Sequence, residues 1–425
     1  MTNGPLRIAD VFRAGQSAFL DRYGDQVPSD QRRVLRDIIA CRTAAMGGHV
    51  KECDECGHCR VFYNSCRNRH CPGCQAGARA AWFDAREAEL LPVPYFHVVF
   101  TLPQELANVG LQNKRLIYGI LFRAASDTLL EVAANPKHLG ARIGVLMVLH
   151  TWGQNLSVHP HVHCIATGGG ISEDGSQWIT GRRRNKFFLP IRVLSRVFRG
   201  KFVQKLRNAR ATGELQFQGN LAELADPTRF ESFVSSLVRH DWVVYAKRPF
   251  GGPRQVLKYL ARYTHRVAIS DSRLLNLSND EVTFKYKDYA DNSGKKEMTL
   301  STTEFIRRFL MHTLPNGFVR IRYYGFLANR FRRTQIDHVR GLLGCRNEES
   351  KLNAPNAGDA SLEQECPADI CPVCRTGQWL VVERIEAAHR RNPYRPHFSQ
   401  LIPQPDDGSV EVIHFGLEPA SLDTS

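Results

Sequence analysis

The sequence lacks long hydrophobic runs and nucleotide-binding loops, and each absence excludes a class of protein. Its longest apolar stretches, residues 95–102 and 143–149, are far too short to cross a bilayer. No apolar leader with a small-residue cleavage site is recognisable, so we expect no secretory signal. No GxxxxGKS or GxxxxGKT loop occurs, which excludes a recognisable nucleotide-driven motor. We therefore expect a cytoplasmic protein with no membrane partner.

Acidic residues are few relative to basic ones. The 425 residues include 57 Lys and Arg against 42 Asp and Glu, which gives a formal net charge of +15. A surplus of this size indicates a polyanionic partner, and without a membrane segment we interpret that partner as nucleic acid. We expect the protein to associate with the nucleoid when it binds DNA. The 43% hydrophobic content suffices for two or three domains with cores.

The basic residues concentrate in two segments that also contain aromatic side chains. Residues 182–210 include eleven Lys or Arg, no acidic residue and four interleaved Phe, and residues 320–333 repeat the pattern. Phosphate neutralisation with aromatic stacking is typical of proteins that hold single strands. The alternative is an amphipathic helix whose aromatics are core residues. We favour the core for the aromatics and DNA for the charges, foremost Arg182, Arg183 and Arg184.

Most of the twelve cysteines lie in two short segments, which in a cytosolic protein predicts metal binding rather than disulfides. The first segment has two Cys-x2-Cys knuckles separated by fourteen residues, a spacing that can place four thiolates around one zinc ion. The four predicted ligands are Cys53, Cys56, Cys71 and Cys74. Cys59, Cys66 and His70 lie in the same span and could replace one of them or bind a second ion.

The second cysteine group lies in the polar C-terminal part of the chain. It consists of Cys371-x2-Cys374 with Cys366 and Cys345 upstream. The spacing is irregular, and Arg375 stands directly after the knuckle where a glycine is usual. The sequence therefore leaves open whether this group binds a second zinc ion.

Three alternating histidines lie in a predicted strand with the sequence HPHVH, namely His159, His161 and His163. Because alternate side chains of a strand share a face, the three imidazoles would project together toward one metal ion. His150 or Gln154, just upstream, could supply a further ligand. Such a ligand set leaves a coordination position for a phosphate oxygen. The alternative is that one or two are ordinary core or surface histidines.

Tyr259 and Tyr263 lie one turn apart on the same face of a predicted helix, residues 255–263. Most such pairs only pack, but here the neighbours are basic: Lys258, Arg262, His265 and Arg266. Positive charge lowers the cost of a phenolate and attracts a phosphodiester. A tyrosine that attacks a phosphate forms a covalent phosphotyrosine, which conserves the bond energy for rejoining without ATP.

Helical and strand patterns alternate along the chain and predict an α+β protein. Strands are expected over residues 95–102, 143–151, 158–167, 282–286 and 298–300. A turn at residues 168–170 is expected to end the third strand, and helices are expected before residue 48, over 182–210 and over 303–312. We predict three parts: a helical, zinc-ribbon-like domain (1–90), a nuclease domain (91–343, with a basic helical insertion at about 180–240), and a polar, partly disordered tail (344–425).

Four segments occur in an order that resembles a known family: YNSCRNRHCPGCQ, YFHVVFTLP, HPHVH and YLARYTHRVAIS. The order is similar to that in rolling-circle insertion-sequence transposases of the IS-ninety-one type, which have an N-terminal zinc-binding domain. These belong to the wider His-hydrophobic-His single-strand endonucleases, together with replication initiators and conjugative relaxases. The resemblance extends from about residue 10 to about residue 340.

The resemblance implies a central antiparallel sheet backed by helices, with Mg²⁺ or Mn²⁺ on His161 and His163. The family's two nucleophiles fall on Tyr259 and Tyr263. The implied activity is metal-dependent cleavage and transfer of single-stranded element ends through a 5′-phosphotyrosine, in rolling-circle transposition. Host replication or helicase proteins would unwind the DNA, and the oligomeric state is left open.

Three alternatives remain at this point. The same chemistry could serve a plasmid replication initiator or a relaxase. A tyrosine recombinase would act on duplex DNA without a metal ion. A non-enzymatic zinc-ribbon protein would only bind DNA. The zinc-binding segment ahead of the nuclease segment, and the absence of a fused helicase, favour the transposase.

Overall fold

The computed structural model describes residues 5–181, 189–247, 255, 268–288, 294–345 and 370–388. The α-helices of this part of the chain are α1 (Ile8–Tyr23), α2 (Ser29–Ala40), α3 (Pro72–Glu87), α4 (Ala107–Gln112), α5 (Lys114–Ala134), α6 (Ile191–Ala211), α7 (Pro227–Leu237), α8 (Thr302–Met311) and α9 (Arg332–Leu342). None of them is both long enough and apolar enough to span a bilayer.

The strands of the described residues form three antiparallel sheets. They are β1 (Gly48–Cys53), β2 (Cys59–Tyr63), β3 (Tyr95–Thr101), β4 (Arg142–Trp152), β5 (Val158–Ile171), β6 (Trp178–Thr180), β7 (Val244–Lys247), β8 (Leu274–Ser278), β9 (Glu281–Asp288), β10 (Gly294–Ser301), β11 (Ile321–Gly325) and β12 (Trp379–Ile385). The predicted α+β class is confirmed, and so are the strands expected near residues 95–102, 143–151 and 158–167.

The largest sheet has the order β11-β4-β5-β3-β7, with β6 paired to the far end of β5. Strand alternation divides its side chains between two faces. One face presents Val98, Phe100 and Met147 to the main core, where α5, α6 and α7 cover it. The opposite face presents Leu146 and Ile165 to a smaller core that includes α9. Both faces of the sheet are therefore covered by core residues. A polar side chain on the face that carries Leu146 and Ile165 needs a hydrogen-bond partner among its neighbours.

The N-terminal helices share a core with a distant part of the chain. Phe12 and Phe19 of α1, together with α2, pack against α8 and the β8-β9 hairpin. Phe12 contacts Phe309 edge to face, with 5.1 Å between ring centroids. Leu156, between β4 and β5, is buried in the same core. This packing joins the first helices to residues 268–310, whereas the domain boundary near residue 90 stays a prediction.

The second sheet has the order β10-β9-β8, and the third joins an N-terminal hairpin to a C-terminal strand. The order of the third sheet is β12-β1-β2, so β1 pairs with β2 on one side and with β12 on the other. Gly48 pairs with Ile385, and Cys53 pairs with Trp379. Within the predicted polar tail, residues 370–388 therefore fold onto the N-terminal hairpin.

The turn expected at Gly168, Gly169 and Gly170 is wrong, because β5 continues through all three glycines to Ile171. β6 pairs with β5 at these glycines. A Cβ atom at Gly169 would lie 2.6 Å from the carbonyl oxygen of Ile179, and one at Gly168 would lie 2.9 Å from the Phe96 ring. The glycines therefore permit close packing inside a strand, a role that sequence pattern does not separate from a turn.

Candidate active site and metal centres

Three imidazoles meet on the second face of the large sheet. His150 of β4 is the register partner of His161 of β5, and His163 follows two residues later on the same face. The potential ligand nitrogens of these three side chains all lie within 4.8 Å of one another. His150 and His163 are buried, and His161 is partly buried. The hairpin register thus assembles a histidine cluster at the centre of the sheet.

Two hydrogen bonds orient the rings of this cluster. Nδ1 of His161 donates to the carbonyl oxygen of His159 at 2.7 Å, which leaves Nε2 as the nitrogen with a lone pair. Nδ1 of His163 lies 2.8 Å from Nε2 of His97 on the neighbouring strand β3. If His163 binds a metal ion through Nε2, its Nδ1–H must donate to His97. His97 is thus a positioning residue that the sequence analysis missed.

Burial keeps the imidazoles of His161 and His97 neutral. It lowers the pKa of His161 to about 4. It also lowers the pKa of His97 to about 4, with a smaller contribution from the positive charge of Lys247. Neutral imidazole is the form that binds metal ions, so His161 is in the ligating form at neutral pH.

The other two ligands expected from the sequence lie outside this cluster of three. His159 is partly buried, its ring centroid is 5.2 Å from that of His161, and its carbonyl orients His161. Gln154 lies in the β4–β5 loop, where its carbonyl accepts a hydrogen bond from Arg273. The structure therefore brings His150, rather than His159, next to His161 and His163.

His312 fixes the hairpin that carries the cluster. Its Nε2 donates to the carbonyl of Leu156 at 3.1 Å, and its Nδ1 accepts from the hydroxyl of Thr151 at 3.2 Å. Burial lowers the pKa of His312 to about 4, which favours the neutral ring that this donor–acceptor pattern requires. The bond to Thr151 is made next to His150, so His312 positions that end of β4.

The donor set fits a divalent transition ion. Three imidazole nitrogens leave coordination positions open for substrate oxygens. Imidazole ligands suit first-row transition ions, whereas Mg²⁺ prefers oxygen ligands. Three imidazoles without a carboxylate are therefore a poor ligand set for Mg²⁺.

The cysteines form two groups instead of the single four-thiolate site expected from the two N-terminal knuckles. The first group consists of Cys41, Cys66, Cys71 and Cys74, and the second of Cys53, Cys56, Cys371 and Cys374. The expected set is divided because β1 and β2 carry the first knuckle away from the start of α3, where the second knuckle lies. In both groups the sulfur atoms all lie within 4.8 Å of one another.

The first group ties the end of α2 to the start of α3. The Sγ of Cys74 lies 3.6 Å from that of Cys41 and 3.5 Å from that of Cys66. Four sulfurs bound tetrahedrally to zinc at about 2.3 Å are about 3.8 Å apart. The donor set therefore fits zinc. Cys41 was missed because it stands alone after a helix, outside any knuckle.

Two other residues near the knuckles have structural roles. The Nε2 of His70 accepts a hydrogen bond from the backbone N–H of Leu314, so this side chain faces away from both cysteine groups. The guanidinium of Arg69 donates to the carbonyls of Leu314, Pro315 and Phe318. His70 and Arg69 therefore bind the loop after α8.

The predicted nucleophiles and most of the predicted DNA contacts lie outside the described residues. These are Tyr259, Tyr263, Lys258, Arg262, Arg266, Arg182, Arg183 and Arg184. The helix α6 of the first basic segment is described. Its Phe198 and Phe202 are fully buried, whereas Arg192 and Arg196 are exposed. The expected core role of these two aromatics is confirmed.

Solved structures include distant likenesses. The conjugative relaxase TrwC in complex with OriT DNA, in a metal-bound structure, is 14% identical, with a TM-score of 0.23 over 40% of this chain and 71% of that chain. A copper-bound structure of the same relaxase with OriT DNA has a TM-score of 0.22, with 14% identity, over 40% of this chain and 68% of that chain.

Two family models match segments of this chain, and two transposases share a higher sequence identity with it than the relaxase does. Residues 11–102 match a transposase zinc-binding domain, and residues 144–335 match a putative transposase. The putative transposase y4qJ of Sinorhizobium fredii is 50% identical over 384 residues, 90% of this chain and 96% of that protein. The transposase for insertion sequence element IS801 of Pseudomonas savastanoi is 30% identical over 77% of each chain. The chain therefore belongs to the insertion-sequence transposases with an N-terminal zinc-binding domain.

Proposed function

We propose that this DNA transposase cuts single-stranded element ends with a tyrosine nucleophile beside a histidine-bound divalent ion, and joins them in rolling-circle transposition. The observation that carries the proposal is the cluster of His150, His161 and His163, whose ligand nitrogens lie within 4.8 Å of one another. Three imidazoles this close together on a largely buried sheet face have no structural need for such proximity, because burial alone would favour apolar side chains there.

His161 and His163, with His150 as the third ligand, would hold the ion. A divalent ion at this place polarises a phosphodiester and stabilises the charge that develops on its oxygens. His97 and the carbonyl of His159 hold the ring orientations that this binding needs. The buried sheet face restricts water around the cluster, which strengthens these electrostatic interactions.

The covalent step is assigned to Tyr259 or Tyr263. The tyrosine oxygen attacks the phosphorus of the scissile diester and forms a 5′-phosphotyrosine. The bond from phosphorus to the 3′ oxygen breaks, and that oxygen leaves as a 3′-hydroxyl after gaining a proton. The second tyrosine cuts the far end. The freed 3′-hydroxyl then loses its proton and attacks the phosphorus of the phosphotyrosine, the bond from phosphorus to the tyrosine oxygen breaks, and the phenol is restored as it regains a proton. Two nucleophiles one helical turn apart serve both cleavages. Lys258, Arg262 and Arg266 would neutralise phosphoryl charge.

The test is formation of a covalent adduct between the full chain and labelled single-stranded oligonucleotides that carry candidate element ends. With Mn²⁺ we expect an SDS-resistant protein–DNA band and a released strand with a 3′-hydroxyl. EDTA abolishes both products, and so does the combined change Tyr259→Phe with Tyr263→Phe. Tyr63→Phe, at an exposed tyrosine of β2, is the matched control and keeps full activity.

The contrary outcomes separate the rival mechanisms. An adduct that forms equally in EDTA contradicts the metal requirement and indicates a metal-independent tyrosine recombinase. No adduct across several element ends, with DNA binding intact, contradicts cleavage and indicates a DNA-binding protein. A His161→Gln, His163→Gln variant that still binds DNA but forms no adduct supports the assigned ion site.

A further inference from the structure

We propose that Cys53, Cys56, Cys371 and Cys374 form a second zinc site, distinct from the site at α2 and α3, that clamps the C-terminal segment onto the N-terminal hairpin. Cys371 and Cys374 lie beyond both matched family segments, which end at residues 102 and 335. The clamp joins two knuckles that are more than three hundred residues apart in sequence.

The sulfur positions agree with one tetrahedral ion. The Sγ of Cys53 lies 3.5 Å from that of Cys374, and the Sγ of Cys56 lies 3.7 Å from that of Cys371. Tetrahedral zinc with sulfur ligands at about 2.3 Å requires separations of about 3.8 Å. Each knuckle contributes two sulfurs, so neither segment completes the site without the other.

The two knuckles have the same backbone geometry. Gly57, directly after Cys56, has φ +68°, and Arg375, directly after Cys374, has φ +63°. The N–H of Gly57 donates to the carbonyl of Cys53, and the N–H of Arg375 donates to the carbonyl of Cys371. An arginine held in the left-handed region repeats the turn that glycine makes in the first knuckle. Such a conformation persists in a non-glycine residue only where the surroundings hold it.

Backbone contacts bind the knuckles to each other independently of the sulfurs. The N–H of Asp54 donates to the carbonyl of Gln378 at 3.0 Å, and the Asp54 carboxylate accepts from the N–H of Gln378 at 2.7 Å. A Cβ atom at Gly377 would overlap the Sγ of Cys53. The C-terminal knuckle is therefore shaped to admit the sulfur of the N-terminal one.

The small sheet continues this interface. β12 pairs with β1 along its whole length, from Trp379 opposite Cys53 to Ile385 opposite Gly48. The indole of Trp379 packs edge to face on Phe62 of β2, with 5.2 Å between centroids. However, the sheet has little core, because Leu380, Val381 and Val382 are all more than half exposed. A small domain with so little buried apolar surface needs a metal ion or another cross-link for stability.

The experiment measures zinc per chain by mass spectrometry, in full-length protein that also carries His161→Gln and His163→Gln so that the imidazole cluster adds no ion. We expect two zinc ions in this background and one after Cys371→Ser with Cys374→Ser. Cys53→Ser should also leave one zinc ion per chain. The triple variant with Cys53→Ser, Cys371→Ser and Cys374→Ser should still retain that one ion. Cys59→Ser, at an exposed cysteine in neither group, retains both ions.

Amide hydrogen exchange of the same proteins measures whether the C-terminal segment stays docked on the N-terminal hairpin. Loss of the ion should remove the protection of amides in residues 379–385, while the amides of α2 keep theirs. Cys374→His is the conservative variant, and because histidine is also a zinc ligand it should keep the second ion where serine loses it. Two zinc ions retained after Cys371→Ser with Cys374→Ser, or protection unchanged without the ion, would overturn the proposal. So would two disulfides among these four cysteines, seen as four sulfurs that resist alkylation in denaturant with a chelator and react only after reduction.

Discussion

His97 is the residue whose effect on the imidazole cluster is most specific, because it contacts a proposed ligand without being one. Its Nε2 lies 2.8 Å from Nδ1 of His163, and the two rings lie nearly in one plane, with an interplanar angle of 5° and centroids 5.1 Å apart. Partners of this kind fix the tautomer and orientation of a ligating histidine. His97 thereby connects β3 to the proposed ion site on β4 and β5.

We predict that His97→Ala lowers Mn²⁺ affinity about 10–100-fold, since outer partners of metal ligands contribute on this scale. The measurement is a Mn²⁺ titration of adduct formation and of direct Mn²⁺ binding by the full chain. His97→Gln, which keeps a hydrogen-bonding group, should recover part of the affinity. His240→Asn, at an exposed histidine, should change nothing. Unchanged Mn²⁺ binding in His97→Ala would contradict the positioning role.

The residues of the proposed ion site were only partly predictable from sequence. Alternation in HPHVH predicted that His161 and His163 share a face, because a strand has a fixed period of two. The same pattern included His159 equally, since it contains no information about neighbouring strands. His150 was expected only as one possible further ligand, and the register of β4 against β5 places it opposite His161, while β3 brings His97 to the cluster. Such registers depend on packing across the whole sheet, which local sequence does not specify.

At the scale of elements, α6 combines a core face and a basic face. Phe198 is fully buried and contacts Phe100 of β3 at 4.9 Å and Trp242 at 5.4 Å, measured between centroids. Arg192 and Arg196 occupy exposed positions of the same helix. We therefore make one prediction for each face: the buried face concerns stability, and the exposed basic face concerns DNA binding.

For the core face, Phe198→Ala should lower the free energy of unfolding by about 3–5 kcal/mol, the usual cost of removing a buried phenyl ring. Denaturant unfolding of the full chain measures it. Phe331→Ala, at a phenylalanine that is 46% exposed, is the matched control and should cost less than about 0.5 kcal/mol. Equal effects of the two changes would contradict the assignment of Phe198 to the core.

For the basic face, Arg192→Ala with Arg196→Ala should weaken single-stranded DNA binding to a similar extent across sequences. The slope of log affinity against log salt should fall by about 1.4, since each lost phosphate contact removes about 0.7. Fluorescence anisotropy over a salt series gives the slope. Arg192→Lys with Arg196→Lys keeps the charge and should keep the slope. An alanine variant with the parental slope would show that this face lies away from the DNA.

Element positions were more predictable than element boundaries. The buried strands β3, β4 and β5 are dense in β-branched and aromatic residues, which is a strong local signal. The glycines at 168–170 indicated a turn. They lie inside β5 instead, because Trp178 and Ile179 of β6 pack directly against them. The sequence also could not predict that residues 379–385 pair with β1, since no local pattern specifies a partner at that distance.

At the scale of the whole molecule, strands more than three hundred residues apart in the sequence meet in one small sheet, and Arg375 offers a test of how firmly they are held. Arg375→Gly should stabilise the docked C-terminal segment by about 1 kcal/mol, because glycine adopts positive φ without the Cβ penalty. Zinc extraction from the second site by a chelator should then slow about fivefold.

The control for this prediction is the same substitution at a different backbone conformation. Arg384→Gly, inside β12, should destabilise the segment by about 0.5–1 kcal/mol, since glycine weakens the interior of a strand. Slower zinc loss in Arg375→Gly and faster zinc loss in Arg384→Gly would support the left-handed turn after Cys374. Faster zinc loss in both variants would contradict it.

The central claim, a tyrosine nucleophile beside a histidine-bound ion, is tested most directly by identifying the residue that carries DNA. The adduct formed with Mn²⁺ is digested with protease and nuclease, and the modified peptide is sequenced by mass spectrometry. We predict a 5′-phosphate ester on Tyr259 or Tyr263, and no adduct in the His161→Gln, His163→Gln variant. An ester on any other residue, or an adduct undiminished in that variant, would contradict the claim.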